Sequence, residues 1–148
     1  MRLRTASQVI TFVKKVESDS AELYDKLAEM YKDDGNTFRA FSAENRRNAV
    51  DIERAYYSVI TDAIEGGYAF DLETDRYAFA IALTGQEPMA VAVGKAIGAE
   101  QKILQFYADA VGQSKSLMAD IPRAFEVAAR RRRERQQKLN RLVGAEPV

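Results

Sequence analysis

Cysteine and histidine are both absent from this chain. Without cysteine there are no disulfides, no thiolate zinc sites and no cysteine nucleophile. Without histidine the Ser-His-Asp triad, the imidazole base and the commonest metal ligand are all excluded. An excess of one charge is lacking too. The 22 basic and 22 acidic residues cancel to a formal net charge of zero, so nothing global points to nucleic acid or a membrane. No run of about 18 or more apolar residues occurs, so no membrane span is expected. The start, MRLRTASQ, is basic but lacks an apolar h-region, and no signal peptide is read there. A cytoplasmic location is the expectation.

What is present is an ordinary soluble helical composition, 47% apolar and 30% charged, in 148 residues. That length suits one domain over 1–148 with a real core. Two stretches stand out. Residues 15–31, KVESDSAELYDKLAEMY, align with IGAEQKILQFYADAVGQ, so that Glu17 falls on Glu100 and Tyr24 on Tyr107. Further on, Arg39-Ala40-Phe41 recurs as Arg123-Ala124-Phe125. The chain reads as two helical hairpins, each an acidic-tyrosine helix followed by a helix opening with RAF. A lone hairpin cannot bury its apolar stripe, so the two should close into a four-helix bundle.

Taken in order, Ser7 is the expected N-cap of helix one. Its core stripe is Val9, Val13, Val16, Ser20, Leu23, Leu27 and Met30, with Glu17 and Tyr24 on the inner edge. A turn is expected at Asp33-Asp34-Gly35-Asn36. Helix two should run from Thr37 to Ile64, with Phe38, Phe41, Asn45, Asn48, Ile52, Tyr56, Val59 and Ala63 inward, and stop at Glu65-Gly66-Gly67. The two inward asparagines need partners, because an unpaired buried amide costs about 1–3 kcal/mol. Residues 68–87 are too long for a hairpin turn and carry Tyr68, Phe70, Tyr77 and Phe79. They should pack across the bundle, with a short helix near 74–83, and make helices two and three parallel. Helix three opens at Pro88 and runs to Gly112 on a slim face of Ala92, Ala96, Ala99, Ile103, Phe106 and Ala110. Gly94 and Gly98 suggest close approach of another helix. Helix four begins near Pro122, capped by Asp120, with Phe125, Ala128, Ala129, Arg132, Gln136, Leu139 and Val143 inward. The tail 144–148 should be flexible.

These inner positions resemble the rubrerythrin-like branch of the ferritin-like superfamily, over residues 8 to 142. The resemblance implies an all-α, ferritin-like four-helix bundle with a long crossover between helices two and three, commonly a homodimer. In that family helices one and three each supply a metal-bridging glutamate, commonly followed by a tyrosine. Helices two and four each supply Glu-x-x-His, and the set holds a di-iron pair that reacts with peroxide or oxygen. Carried over residue by residue, Glu17 and Glu100 take the two bridging positions. Asn45 stands where the helix-two glutamate belongs and Asn48 where its histidine belongs. The repeat puts Ala129 at the helix-four glutamate and Arg132 at its histidine.

The metal therefore meets two carboxylates, two neutral amides and a guanidinium. Arginine keeps its proton and offers donors only, so it repels iron and suits Glu17 and Glu100 as a partner. The expectation is that Arg132 replaces the metal, with Asn45 and Asn48 completing a hydrogen-bond network. Glu17 and Glu100 are then vestigial or weak metal positions, and no cofactor is expected. Tyr24 and Tyr107 read as core residues with hydrogen-bonded tips, redox activity being the alternative.

A second feature is the run Arg130, Arg131, Arg132, Arg133, Arg135, Lys138 and Arg141, relieved only by Glu134. Arg130, Arg131, Arg133, Arg135 and Lys138 could form an anion patch. They spread round the helix with no interleaved aromatics, so a solvated helix end is the preferred reading and nucleic acid is not expected. Three functions follow, in order. The first is a family member that has lost di-iron catalysis and acts as a structural or interaction protein. The second is an iron-binding oxidoreductase or peroxidase with a modified site. The third is an anion or nucleic-acid binder.

Overall fold

Thr5, not Ser7, opens the first helix, α1 (Ala6–Met30). The Thr5 hydroxyl accepts the Gln8 amide at 3.1 Å, and the Gln8 side chain accepts the Thr5 amide at 3.2 Å. This Thr-x-x-Gln capping box satisfies two amides at once, and Ser7 already lies inside the first turn. The structure, a computed structural model, describes residues 1–59, 69–115 and 120–144.

After Met30 a 3-10 turn over Lys32–Asp34 leads straight into α2 (Gly35–Val59). Gly35 and Asn36, expected in the turn, are the first residues of the helix. Gly35 has ordinary helical angles, φ −57° and ψ −39°, and Arg39 Nη2 donates to Asn36 Oδ1 at 2.9 Å. Asp33 and Asp34 precede the positive end of α2, where negative charge is favourable. The other two long helices are α3 (Met89–Ser114) and α4 (Asp120–Leu142). Pro88 is the residue before α3, whereas Asp120 sits within the first turn of α4 rather than capping it. The Val59 side chain, Ala63, Ile64, the Glu65-Gly66-Gly67 stop, Tyr68 and residues 145–148 lie outside the described residues.

The crossover differs most from expectation. The helix expected near 74–83 is only a 3-10 turn, Thr74–Tyr77. Before it, strand β2 (Leu72–Glu73) pairs antiparallel with β1 (Arg2–Leu3) at the N-terminus. Phe70 N donates to Arg4 O at 3.0 Å and Thr74 N to Met1 O at 2.9 Å. Two-residue strands are too short to show alternation, which is why the sequence carries no signal for them. Their buried members Leu3 and Leu72, with Phe70 and Tyr77, close over the same core as the α1 start.

Side-chain contacts give the helix directions. Lys14 reaches Glu53 and Arg46 reaches Asp25, so α1 and α2 run antiparallel. Phe12 packs on Phe106 and Tyr24 bonds Glu100, so α1 and α3 do too. Hence α2 and α3 run parallel, as the long crossover predicts. Asn48 meets Arg131 while Asn45 meets Arg135, which sets α4 antiparallel to α2. The architecture is an all-α bundle. No helix among the described residues is long and apolar enough to cross a membrane.

The expected stripes are inside: Val9, Val13, Val16, Ser20 and Leu27 in α1, and all six predicted α3 positions. Leu23 and Met30 are half-buried at the edge. The apolar interior forms two clusters. One gathers the start of α1, the end of α3 and the start of α4; the other gathers the opposite halves, around Tyr24, Phe38, Ala92 and Leu139. Buried polar side chains fill the level between them.

Gly94 and Gly98 are exposed, with nothing within 4 Å of the place a Cβ would take. The expected close approach is therefore not made by another helix among the described residues. A glycine in a helix interior costs conformational entropy that alanine does not, so Gly98→Ala should stabilise by about 0.5–1 kcal/mol. Urea denaturation reads this. A loss of stability would mean that something packs on the face.

Candidate functional site

Each helix brings one or two polar groups to the middle level. Glu17 follows Val13 by one turn on α1, and Glu100 follows Ala96 by one turn on α3. On α2 the pair is Asn45 and Asn48, and on α4 it is Arg132 and Arg135, each pair three residues apart and so on one face. All six are at most 1% exposed.

Arg132 lies between the two glutamates. Its Nη1 donates to Glu100 Oε1 at 2.8 Å and to Oε2 at 2.7 Å. Its Nη2 donates to Glu17 Oε2 and, at 3.2 Å, to Asn45 Oδ1. Asn48 Nδ2 donates to the other Glu17 oxygen at 2.9 Å. Arg135 forms a second bridge: Nη1 to Asn45 Oδ1 at 2.7 Å and Glu100 Oε1 at 3.2 Å, Nη2 to Phe41 O at 3.1 Å and Glu44 at 2.8 Å. Its guanidinium also lies 5.0 Å from the ring centroids of Tyr24 and Phe41. At the rim, Arg131 Nη1 joins Asn48 Oδ1 at 2.9 Å to Asp51 at 3.0 Å.

The innermost charges balance, two carboxylates against two guanidiniums. Burial pushes the Glu100 carboxyl up, but Arg132 and Arg135 beside it outweigh this and hold it below the usual range. For Arg132, burial opposes the charged form while Glu100 and Glu17 more than restore it, leaving the guanidinium protonated at any accessible pH. Tyr24 OH donates to Glu100 Oε1 at 2.7 Å. Burial, then the Glu100 charge, raises its phenol well above the ordinary value. Tyr107 is raised for the same reasons, with Glu17 as the neighbour, though its hydroxyl does not reach hydrogen-bond geometry. Each tyrosine thus meets the glutamate of the other acidic-tyrosine helix.

An acid-linked effect follows from Glu100. A depressed carboxyl contributes stability above its unfolded value, about 4.3. That contribution is lost as the pH falls through the folded value. Urea midpoints should therefore stay level near neutrality and drop below about pH 4–5, more steeply in wild type than in Glu100→Gln. Equal acid slopes in the two proteins would remove Glu100 from the account.

A di-iron centre needs anionic oxygens with free lone pairs and imidazoles beside them. Here both Glu100 oxygens and one Glu17 oxygen accept from Arg132, and the other Glu17 oxygen accepts from Asn48. Asn45 Oδ1 takes two arginine donors and Asn48 Oδ1 takes one. Ala129 is buried and has no ligand atom. The groups left over are Arg132 Nε, Arg135 Nε, Asn45 Nδ2 and the Tyr107 hydroxyl. Three of these four can only donate, the reverse of what a metal requires. The residues do not fit a di-iron pair. Among the described residues no group of three His, Cys, Asp or Glu could hold a metal ion.

The structure brings together Glu17, Glu100, Asn45, Asn48 and Arg132, the set that the internal repeat and the family resemblance had grouped. It divides the arginine run. Arg130, Arg133 and Lys138 are exposed, but Arg131 is half-buried and Arg135 fully so, which removes both from any outer anion patch. Arg135 is the residue sequence reasoning misplaced. The signal existed: Ile121, Phe125, Ala128, Arg132, Arg135 and Leu139 advance in alternating steps of four and three, and all are buried. Glu44, turned away from the inner face, still joins the network because Arg135 reaches out to it. Comparison with protein families, with curated proteins and with solved structures finds no match.

Proposed function

We propose that this chain is a ferritin-like, rubrerythrin-type bundle in which a guanidinium–carboxylate core takes the place of the di-iron centre. Its role is then that of a structural or interaction protein, and homodimerisation belongs to the same reading. One observation carries it: the fully buried Arg132 spans Glu17 and Glu100, the two positions that match the family's bridging glutamates. The parallel course of α2 and α3 and the crossover between them support it. So do Asn45 and Asn48, which stand at ligand positions yet serve as hydrogen-bond partners of arginine and glutamate.

The chemistry is consistent. A metal in this position would cross-link four helices and balance their carboxylates. Two guanidiniums do both, through directional hydrogen bonds, and they keep their charge at all accessible pH. They supply no redox couple, and the carboxylate oxygens that an oxidase or peroxidase metal would need are taken by arginine and asparagine donors.

Elemental analysis tests this. Protein purified without chelator, then incubated with ferrous iron and desalted, should retain none and should unfold at the same urea concentration as untreated protein. Two tightly held irons per chain would overturn the proposal and restore the oxidoreductase reading.

A further inference from the structure

The division of the arginine run leaves a second question, what the outward arginines face. α2 and α4 pack side by side, and Arg54 and Arg123 line one cleft between them with Ala55 and Ala124 and with the carboxylates of Asp51 and Asp120. Arg47 lies seven residues before Arg54 on α2, and Arg130 seven after Arg123 on α4. Seven residues are almost two turns, so each pair shares a helix face, about 10 Å apart along the axis. With neighbouring axes about 8–10 Å apart, the four guanidiniums mark the corners of one patch.

All four are exposed, and none has a carboxylate within ion-pair distance among the described residues. The acids that would cancel them are already engaged. Asp51 is held by Arg131 at 3.0 Å and Glu44 by Arg135 at 2.8 Å, leaving Asp120, Glu126 and Glu134 on this side, none of them in an ion pair among the described residues. The inward arginines thereby take two acids from this face, and the outer arginines stay outside ion-pair distance of the rest among the described residues. Lys138 and Arg141 continue the field toward the end of α4.

The chemistry of the patch selects its partner. Arginine binds phosphate bidentately, with geometry a lysine lacks. A protein partner would need a large apolar anchor at the centre of its interface. Between the ridges there are only Ala55, Ala124 and Val127, and the exposed Val50 between Arg47 and Arg54 is a short side chain as well. Unstacked bases of a single strand would need aromatic platforms. The one strongly exposed aromatic of α2, Tyr57, lies on its other flank beside Lys14. A duplex backbone needs neither.

We propose that the outer α2–α4 face, through Arg47, Arg54, Arg123 and Arg130, binds the phosphate backbone of double-stranded nucleic acid without reading its sequence. This proposal departs from the expectation drawn from the arginine run, which counted helix four by itself. It does not depend on the proposed replacement of a di-iron centre.

The experiment uses the full chain and a fluorescent mixed-sequence DNA duplex, followed by anisotropy from 50 to 200 mM salt. Wild type should weaken about a hundredfold over that range, the slope for roughly four released counterions. The variant Arg47→Gln/Arg54→Gln/Arg123→Gln/Arg130→Gln should lose most of the binding and most of the slope. A charge-matched control, Lys26→Gln/Lys32→Gln/Lys102→Gln/Lys115→Gln, should keep both, and urea midpoints should show that both variants fold. Equal losses in the two variants, or a wild-type affinity without salt dependence, would overturn the proposal. So would competition by polyglutamate as effective as by unlabelled duplex, which would assign the face to an acidic protein segment instead.

Discussion

Arg132→Leu loses about 3–5 kcal/mol of unfolding free energy, the usual cost of removing one partner from a buried ion pair. Glu17 would keep only Asn48, a neutral donor, and Glu100 would keep Arg135 and Tyr24. Leucine fills the volume but returns nothing to the carboxylate oxygens. Urea unfolding at neutral pH is the measurement. The deficit should narrow in acid, where protonation removes the charge that lost its partner. If the single variant does not fold, a combined replacement of Glu17, Glu100, Arg132 and Arg135 by leucine and methionine keeps the account testable. Whole buried charge arrays exchanged for apolar side chains are often neutral or stabilising, so the combined variant should be more stable than Arg132→Leu. An Arg132→Leu protein as stable as wild type would falsify the central role of this guanidinium.

Arg135→Met should cost a comparable amount, about 3–5 kcal/mol, although its sequence position placed it on the surface. The loss has several parts. Asn45 Oδ1 keeps only the longer bond from Arg132, Phe41 O loses its arginine donor, and Glu44 loses its partner. The cation stacked against Tyr24 and Phe41 disappears as well. Arg135→Lys should recover little, because one ammonium cannot span Asn45, Glu100, Phe41 O and Glu44 in one geometry. Arg132 and Arg135 share Glu100 and Asn45, so their double-mutant cycle should show a coupling of about 0.5–3 kcal/mol. Additive effects, or an Arg135→Met variant within about 0.5 kcal/mol of wild type, would mean that Arg135 is a passive filler.

Much of this was legible from periodicity. The stripe of α1 and the alanine face of α3 follow the helical repeat; the same rule put Glu17 on the inner edge, and the internal repeat with the family resemblance put Glu100 opposite it. Asn45 and Asn48 announced a buried network because amides on an apolar face require partners. Other features had no local signal. The β1–β2 pair joins residues about seventy positions apart through two-residue strands, and the short turn after Met30 depends on Gly35 accepting helical angles. Gly94 and Gly98 showed helical spacing, which says which way they point relative to each other but not whether anything approaches them.

By itself the sequence determined the helical class, most inner positions of α1 and α3 and the chemical kinds of group meeting at mid-bundle. These depend on a period of 3.6 residues and on the cost of burying polar groups, both local properties. Tertiary structure alone decided which acceptors each inward arginine reaches and which tyrosine meets which glutamate. An arginine is long enough to reach either a buried carboxylate or solvent, and the choice rests on acceptors from helices some thirty to over a hundred residues away. Joining α2 to α4 then left the outer guanidiniums side by side, which no single helix could show.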